Sequence, residues 1–111
     1  MSSTDAPPIT RRDRRLSETL KALAHPVRLT IVRLLAEREE CACGDLVSEL
    51  PLAQSTVSQH LKALKEVGLV QGTVQGRTTC YCLDPKVLRD FEDEMLAYLG
   101  DLSLPPDPTC C

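Results

Sequence analysis

Apolar residues in the first part of the chain recur every three or four positions, the spacing of one face of an α-helix. Leu16, Leu20 and Leu23 follow this spacing and predict a first helix. That helix is expected to end near His25 and Pro26, because a proline disfavours helical geometry in the residue before it. Pro26 in turn suits the first turn of a second helix. The apolar side of the second helix is predicted to be Val27, Ile31, Leu34 and Leu35.

A short helix, a tight turn and a longer helix are predicted in the middle of the chain. Residues 45–50 predict a short third helix, which Pro51 stops because proline cannot continue the helical hydrogen bonds. After a turn at residues 51–53, a fourth helix is predicted from Gln54 to about Val67. Its buried stripe is expected to be Val57, Leu61 and Leu64, and its opposite face Ser55, Gln59 and Lys62. This order is typical of a helix-turn-helix.

Beyond the fourth helix, which Gly68 is expected to close, the apolar period changes from helical to alternating. Residues 69–73 and 78–83 predict the two strands of a hairpin wing. The turn between them is predicted to contain Gln75, Gly76 and Arg77. A last helix starts at Asp84 and Pro85, with an apolar side of Leu88, Phe91, Met95 and Leu99. The predicted fold is therefore mainly α with a small β-hairpin wing, a winged helix-turn-helix.

The length of 111 residues favours one domain, which we expect over residues 11–100. Residues 1–10 are expected to form a disordered arm, and residues 101–111 a flexible tail that ends in two cysteines. No apolar run reaches the roughly 20 residues of a membrane span, and the start lacks a secretion signal, so we expect a cytoplasmic protein. No catalytic constellation is evident, so we do not expect an enzyme.

The net charge of −3 argues mildly against nucleic-acid binding, because contacts to phosphate favour a basic surface. A basic cluster near the start can serve either as a solvated charged turn or as a phosphate contact; it consists of Arg11, Arg12, Arg14 and Arg15. In a twofold dimer one cationic edge can face DNA while Glu92, Asp93 and Glu94 lie on the far helix. The distribution of charge therefore matters more than its total.

The six cysteines occur as three close pairs. These pairs are Cys41 with Cys43, Cys80 with Cys82, and Cys110 with Cys111. In a cytosolic protein such cysteines are more often thiols, metal ligands or redox sensors than structural disulfides. The first pair immediately precedes the predicted helix-turn-helix, which suggests a repressor that responds to a thiophilic ligand.

The order of helices, the wing, and the segment STVSQHLKALKEVGLV at residues 55–70 resemble the ArsR/SmtB family of winged-helix metalloregulators. The resemblance covers about residues 15 to 99. It implies a homodimeric repressor, built on the first and last helices, that binds double-stranded operator DNA. The family resemblance further implies that the repressor leaves this DNA when a metal or metalloid binds.

Within that family, Cys41-Ala42-Cys43-Gly44-Asp45-Leu46 resembles the Cys-x-Cys-Asp-Leu box of arsenic and antimony sensors. Gly44 is an extra residue, and Leu46 and Val47 stand where such sensors often carry a third cysteine. The zinc and cobalt sites on the last helix of other members need histidines, whereas this chain has only His25 and His60. The resemblance is therefore to the sensors of As(III) and Sb(III).

The residues expected to contact DNA lie on the fourth helix and at the wing tip. They are Gln54, Ser55, Thr56, Ser58, Gln59, His60, Lys62 and Arg77. Thr56 is as well suited to capping the helix as to reading a base, and Arg77 to a solvated turn as to the minor groove. His60 fits packing or a phosphate contact better than metal binding. Ala53 stands where a capping residue is expected, so Ser55 is a candidate substitute.

The predicted inducer site consists of Cys41, Cys43, Cys80 and Cys82. In winged-helix proteins the segment before the third helix commonly pairs with the second wing strand, where Cys80 and Cys82 share one face. Four thiols would then lie together, and soft As(III) or Sb(III) prefers thiolate ligands. The tail thiols Cys110 and Cys111 either reach this site, since eleven extended residues span at most about 36 Å, or have no role.

The cysteine pairs also fit other functions. Oxidation of cysteine pairs is an alternative to metalloid binding, giving a redox-responsive repressor. Zinc, cadmium or lead are alternative inducers, because four sulfurs suit tetrahedral zinc or cadmium. A small thiol oxidoreductase or metal carrier without a DNA role is disfavoured, since the chain has no C-x-x-C sequence and this class does not explain the helix-turn-helix.

Overall fold

The computed structural model describes residues 8–38, 41–43 and 50–105. The helices and strands, in chain order, are α1 (Arg11–Leu23), α2 (Pro26–Ala36), β1 (Ala42–Cys43), α3 (Gln54–Glu66), β2 (Val70–Gln75), β3 (Thr78–Leu83) and α4 (Pro85–Gly100). These elements confirm the winged helix-turn-helix. The short helix predicted over residues 45–50 lies outside the described residues except for Leu50, as do most of the predicted arm and the two tail cysteines.

Helix α1 begins earlier than its apolar pattern indicates. Thr10 caps the helix: its Oγ1 accepts a hydrogen bond from the Asp13 N–H at 3.0 Å, and an Asp13 carboxylate oxygen accepts one from the Thr10 N–H at 3.5 Å. This capping box satisfies amides that the start of a helix leaves open. The basic cluster is therefore the first part of α1, and the expectation of a charged turn there is wrong.

The core joins α3, the predicted fourth helix that carries the expected DNA contacts, to α2 and to the wing. Its buried residues are Ile31 and Leu35 of α2, Val57, Leu61 and Leu64 of α3, and Leu69 and Val70 at the start of the wing. Burial of aliphatic side chains is the main favourable term in holding helices together. Leu69 also donates its backbone N–H to the Leu64 carbonyl at 3.1 Å, so the wing starts directly from the packed end of α3.

The wing is a tight hairpin. β2 and β3 pair in antiparallel register from Val70 opposite Leu83 to Gln75 opposite Thr78, which leaves Gly76 and Arg77 as a two-residue turn. Gly76 has a φ of 64°, whereas Arg77 is not in the positive-φ region, as in a type II′ turn. The prediction that Gln75 lies in the turn is wrong, because its backbone continues the strand.

Helix α4 packs less deeply than its sequence pattern indicates. Asp84 caps it by accepting hydrogen bonds from the Lys86 and Val87 amides, as the sequence predicts. Leu88 packs against the core, but no described residue of α4 is fully buried, and Leu99 is 49 % exposed. None of the described helices is long and apolar enough to cross a membrane.

Gly68 closes α3 with a φ of 83°, a left-handed conformation that disfavours any residue with a Cβ atom. We expect Gly68→Ala to lower the free energy of unfolding by about 1 to 2 kcal/mol, measured by denaturant titration. Gly100→Ala is the matched control, because Gly100 has no positive φ and a Cβ there meets no atom within 4 Å. Equal effects of the two substitutions would contradict the role of the backbone conformation.

Candidate functional site

One face of α3 is free for contacts outside the protomer. Val57, Leu61 and Leu64 are buried. At about 100° per residue, the exposed residues fall within an arc of about 140° that begins beside this buried stripe. The exposed residues of this face are Gln54, Ser55, Ser58, Gln59, Lys62, Lys65 and Glu66. Five of the residues predicted to contact DNA thus share one open face.

The remaining predicted DNA contacts differ in exposure. Thr56 and His60 are partly buried: His60 lies beside the buried stripe, and Thr56 lies between His60 and the edge of the open face. Arg77 is exposed at the tip of the wing, next to Gly76. Thr56 and His60 are therefore less accessible from outside than the other six residues.

The N-terminus of α3 has no side-chain cap. Ala53 is the N-cap residue, and its carbonyl accepts hydrogen bonds from the Thr56 and Val57 amides at 3.0 and 3.1 Å. Ser55 does not replace the missing cap, so that alternative is wrong. Open first-turn amides give a helix N-terminus a partial positive charge, which suits a phosphate oxygen.

His60 forms a polar contact between three helices. Arg28 donates from Nε to His60 Nδ1 at 3.1 Å and from Nη1 to the Ala22 carbonyl at 3.2 Å. The His25 ring centroid lies 4.9 Å from that of His60, with the rings tilted by 55°. Partial burial, followed by the charges of Arg28 and His25, lowers the pKa of His60 below its ordinary value. Sequence reasoning missed this contact, because Arg28 and His60 are 32 positions apart.

The first two cysteine pairs meet across a sheet. β1 pairs with β3 in antiparallel register, with Ala42 opposite Tyr81 and Cys43 opposite Cys80, and β3 also pairs with β2. Cys41 and Cys82 form a disulfide, with their Cα atoms 4.6 Å apart. Cys80, only 2 % exposed, is also disulfide-bonded. The predicted pairing of the Cys-x-Cys segment with the second wing strand is confirmed.

A cavity of about 420 Å³ opens beside the Cys41–Cys82 disulfide. Arg38, Tyr81 and Leu83 are among its lining residues, together with both cysteines. The cavity gives small molecules or ions a path to these sulfur atoms. Within the described residues no group of three or more His, Cys, Asp or Glu side chains is placed to hold a metal ion. The Cys43 side chain lies outside this description, so the four-thiol site stays a prediction.

The donor set itself fits a soft ion. When the disulfide is reduced, Cys41, which precedes β1, and Cys82 of β3 supply two thiols, and thiolate is the ligand type that thiophilic metals prefer. Oxidation of the same pair closes it as a disulfide. The site can therefore change state either by binding an ion or by redox chemistry.

Comparisons with known proteins agree on one family. Residues 25–71 match the family described as bacterial regulatory protein, arsR family. The HTH-type transcriptional repressor SmtB of Mycobacterium tuberculosis is 42 % identical over 84 residues, which is 76 % of this chain and 62 % of that protein. The arsenical resistance operon repressor of Staphylococcus xylosus is 40 % identical over 73 residues, covering 66 % of this chain and 69 % of the repressor.

A solved structure of similar shape is a homodimeric winged helix-turn-helix DNA-binding domain from Mycobacterium bovis, described as a possible ArsR-family transcriptional regulator. It superimposes with a TM-score of 0.62 at 27 % identity, covering 88 % of this chain and 94 % of that one. The described elements therefore have the arrangement of a DNA-binding domain that forms dimers in a relative.

The uncapped start of α3 leads to a stability prediction. Ala53 is exposed and has the extended backbone of an N-cap residue, so Ala53→Ser should stabilise the protein by about 1 kcal/mol through a new hydrogen bond to a first-turn amide. Thr10→Ala is the converse control, since it removes an existing cap and should cost a similar amount. Thermal or denaturant unfolding measures both, and an unchanged or lower stability of the Ala53→Ser variant would contradict the prediction.

Proposed function

The chain belongs to the ArsR family of bacterial regulatory proteins, and from this premise we propose that it is a transcriptional repressor controlled by a thiophilic metalloid. It binds operator DNA as a homodimer and is released when As(III) or Sb(III) binds its cysteine thiolates. The observation that carries this proposal is the pairing of β1 with β3, which sets Cys41 opposite Cys82 and Cys43 opposite Cys80.

The open face of α3 supports the DNA-binding part. Ser and Gln side chains there can hydrogen-bond to base edges, while Lys62 and the first-turn amides suit phosphate oxygens. Arg77 extends from the wing, where an arginine can contact phosphate or enter the minor groove. Thr56 and His60 are partly buried, so in this proposal they contribute less to the DNA contact than the exposed residues do.

Exposed apolar residues on the last helix support the homodimer. Leu96, Tyr98 and Leu99 of α4 are 62 %, 45 % and 49 % exposed, and Leu20 of α1 is 41 % exposed. α1 and α4 pack together, with Arg15 and Glu94 paired at 3.5 Å. Covering apolar side chains by a second copy removes them from water, and a twofold interface buries each one twice.

The inducer site acts on DNA through β3. Binding a soft ion requires the thiolates of Cys41 and Cys82 to converge on it, and Cys43 and Cys80 are the other ligands of the proposal. β3 carries two of these residues and pairs on its other edge with β2, whose turn presents Arg77. A shift of β3 therefore changes the wing. The inducer needs only to favour the DNA-incompetent position by a few kcal/mol.

A second candidate function is redox control, which the Cys41–Cys82 disulfide favours. Hydrogen peroxide would oxidise the two thiols to the disulfide and be reduced to two molecules of water. An organic peroxide would be reduced to one alcohol and one water, so that atoms and electrons balance in both cases. In this case the disulfide, rather than the metalloid complex, is the state with altered affinity for DNA.

Arsenite added to the fully reduced protein distinguishes the two candidates. In a phosphine reductant, which contains no competing thiol, we expect arsenite to release the protein from DNA taken upstream of its coding region, followed by fluorescence anisotropy. Cys41→Ser and Cys82→Ser should each raise the arsenite concentration needed by about tenfold or more, because each removes a sulfur ligand. Thr79→Ser, a change on β3 that removes no sulfur, is the matched control, and Cys111→Ser tests separately whether the tail supplies a ligand.

Release by peroxide but not by arsenite would support redox control instead. Release by zinc, cadmium or lead alone would keep the thiol site and change the inducer. A reduced dimer that stays bound with all of these ions would overturn the metalloid proposal.

The electrostatic part of DNA binding gives a separate prediction. Affinity should fall steeply with salt, and Lys62→Ala should reduce the slope of log Kd against log salt by about one per protomer, because one phosphate contact releases about one counterion. Lys86→Ala is the control: Lys86 lies on α4 and pairs with Asp90 at 3.3 Å. An unchanged slope for Lys62→Ala would remove Lys62 from the interface.

A further inference from the structure

We propose that Arg28 is a positioning residue for DNA recognition, which holds α3 in place through a hydrogen bond to neutral His60 and therefore makes operator binding sensitive to acid. This inference rests on the proposed function only in that α3 contacts DNA. It does not depend on the cysteines. We call the contact of Arg28 with His60 and the Ala22 carbonyl the Arg28 bridge.

The Arg28 bridge ties three helices together at one point. Arg28 belongs to α2, the Ala22 carbonyl to the last turn of α1, and His60 to the middle of α3. The two hydrogen bonds, at 3.1 and 3.2 Å, leave one guanidinium group fixed from both sides. Apolar packing holds α3 against α2, and a directional hydrogen bond on the flank of the stripe adds a restraint on the rotation of α3.

The bridge specifies the protonation state of His60. A guanidinium group has only donors, so Nδ1 of His60 must be the unprotonated acceptor. In the neutral ring the proton is then on Nε2, which leaves that atom as a donor. A second proton can add only at Nδ1, the atom that Arg28 occupies. Protonation of His60 and the Arg28 bridge therefore exclude each other.

The surroundings of His60 resist protonation. The charges that act on it are those of Arg28 and His25, both from the start of α2. α1 contributes the Ala22 carbonyl, which Arg28 already holds. In the groove between α1 and α3 the charged side chains are Glu18, Lys21 and Glu66, and none of them contributes to the shift of His60. Among the described groups, no carboxylate offsets the two cationic neighbours.

The sign of the pH effect follows from the lowered pKa of His60. The Arg28 bridge is complete above the ordinary histidine value of 6.5 and is lost as pH falls through the lower value in the folded protein. Below that point an imidazolium faces a guanidinium, and the two must separate. Simple attraction between added positive charge and DNA has the opposite sign, since it strengthens binding on acidification. The direction of the effect therefore separates the two explanations.

The test measures operator affinity of the reduced protein by fluorescence anisotropy between about pH 7.5 and about pH 5.5 at constant salt. We expect the affinity of the parent to fall towards the acidic end of this range, with about tenfold, the size of one hydrogen bond to a charged group, as the loss when His60 is fully protonated. His60→Asn keeps an acceptor near the position of Nδ1 but cannot titrate there, so its affinity should stay level or rise on acidification. Arg28→Gln should bind about tenfold more weakly at about pH 7.5 and lose the acid sensitivity.

Two further variants test the assignment. Arg28→Lys keeps the charge but not the fork that reaches two acceptors, so it should restore only part of the affinity. His25→Asn removes one cationic neighbour, which should keep the acid loss and move its midpoint to higher pH. Nitrogen NMR of the His60 ring in the free protein should show a proton on Nε2 and none on Nδ1.

Each outcome decides the inference. A parent whose affinity is constant or rises on acidification, or a proton on Nδ1 at about pH 7.5, overturns the positioning role of Arg28 and leaves the proposed repressor intact. Absence of operator binding at every pH overturns the proposed function, while the NMR measurement still decides whether the Arg28 bridge exists. If His60→Asn does not fold, Arg28→Gln and Arg28→Lys carry the comparison of pH profiles.

Discussion

The antiparallel pairing of β3 with strands on both of its edges is the constraint on which the rest of the arrangement depends. One edge holds β1, which contains Cys43 and directly follows Cys41, and the other holds β2 and the wing turn. Because the side chains of a strand alternate between faces, Cys80 and Cys82 lie on one face and Tyr81 and Leu83 on the other. Tyr81 and Leu83 pack against the core, which fixes the register of both edges. A change at the sulfur atoms thus acts on the same strand that carries the wing.

Helix α3 meets a second constraint, because it must be buried on one side and readable on the other. Its three buried residues form a narrow stripe, and polar residues on the flank help to set the rotation of the helix about that stripe. His60 and Arg28 lie on that flank, so the open face owes its direction to a polar contact as well as to apolar packing. Gly68 then ends the helix in a conformation that sends the chain directly into β2.

Much of this could be predicted from local sequence. The period of the apolar residues predicted α2, α3 and α4, and the glycine at position 68 predicted the end of α3. The spacing of the cysteines, read with the pairing usual for winged helices, predicted that Cys41 and Cys43 meet the second wing strand. The early start of α1 was missed although its signal, Thr10 three residues before Asp13, is present in the sequence. That signal lies outside the apolar pattern, which begins only at Leu16.

The rest depended on contacts that local sequence does not encode. Cys41 and Cys82 are 41 positions apart in the sequence. Their disulfide depends on the exact register between two distant segments, which the spacing of the cysteines alone leaves open. The same holds for Arg28 and His60, since nothing in the local sequence indicates that an arginine and a histidine on different helices are in contact. Gln75 was placed in the turn because polar residues are common there, whereas strand pairing extended to it.

The charged residues are unevenly distributed over the structure, and this distribution bears on the proposed regulation. Glu92 and Asp93 are exposed on α4, whereas the open face of α3 combines uncharged polar residues with Lys62, Lys65 and Glu66. A surface with so few cations gains limited affinity from phosphate neutralisation, and the remainder must come from hydrogen bonds that need accurate geometry. Directional contacts are lost through small displacements, while general attraction to phosphate is not. Under the proposed function, a small shift of β3, or the loss of one hydrogen bond behind α3, would therefore weaken binding to DNA.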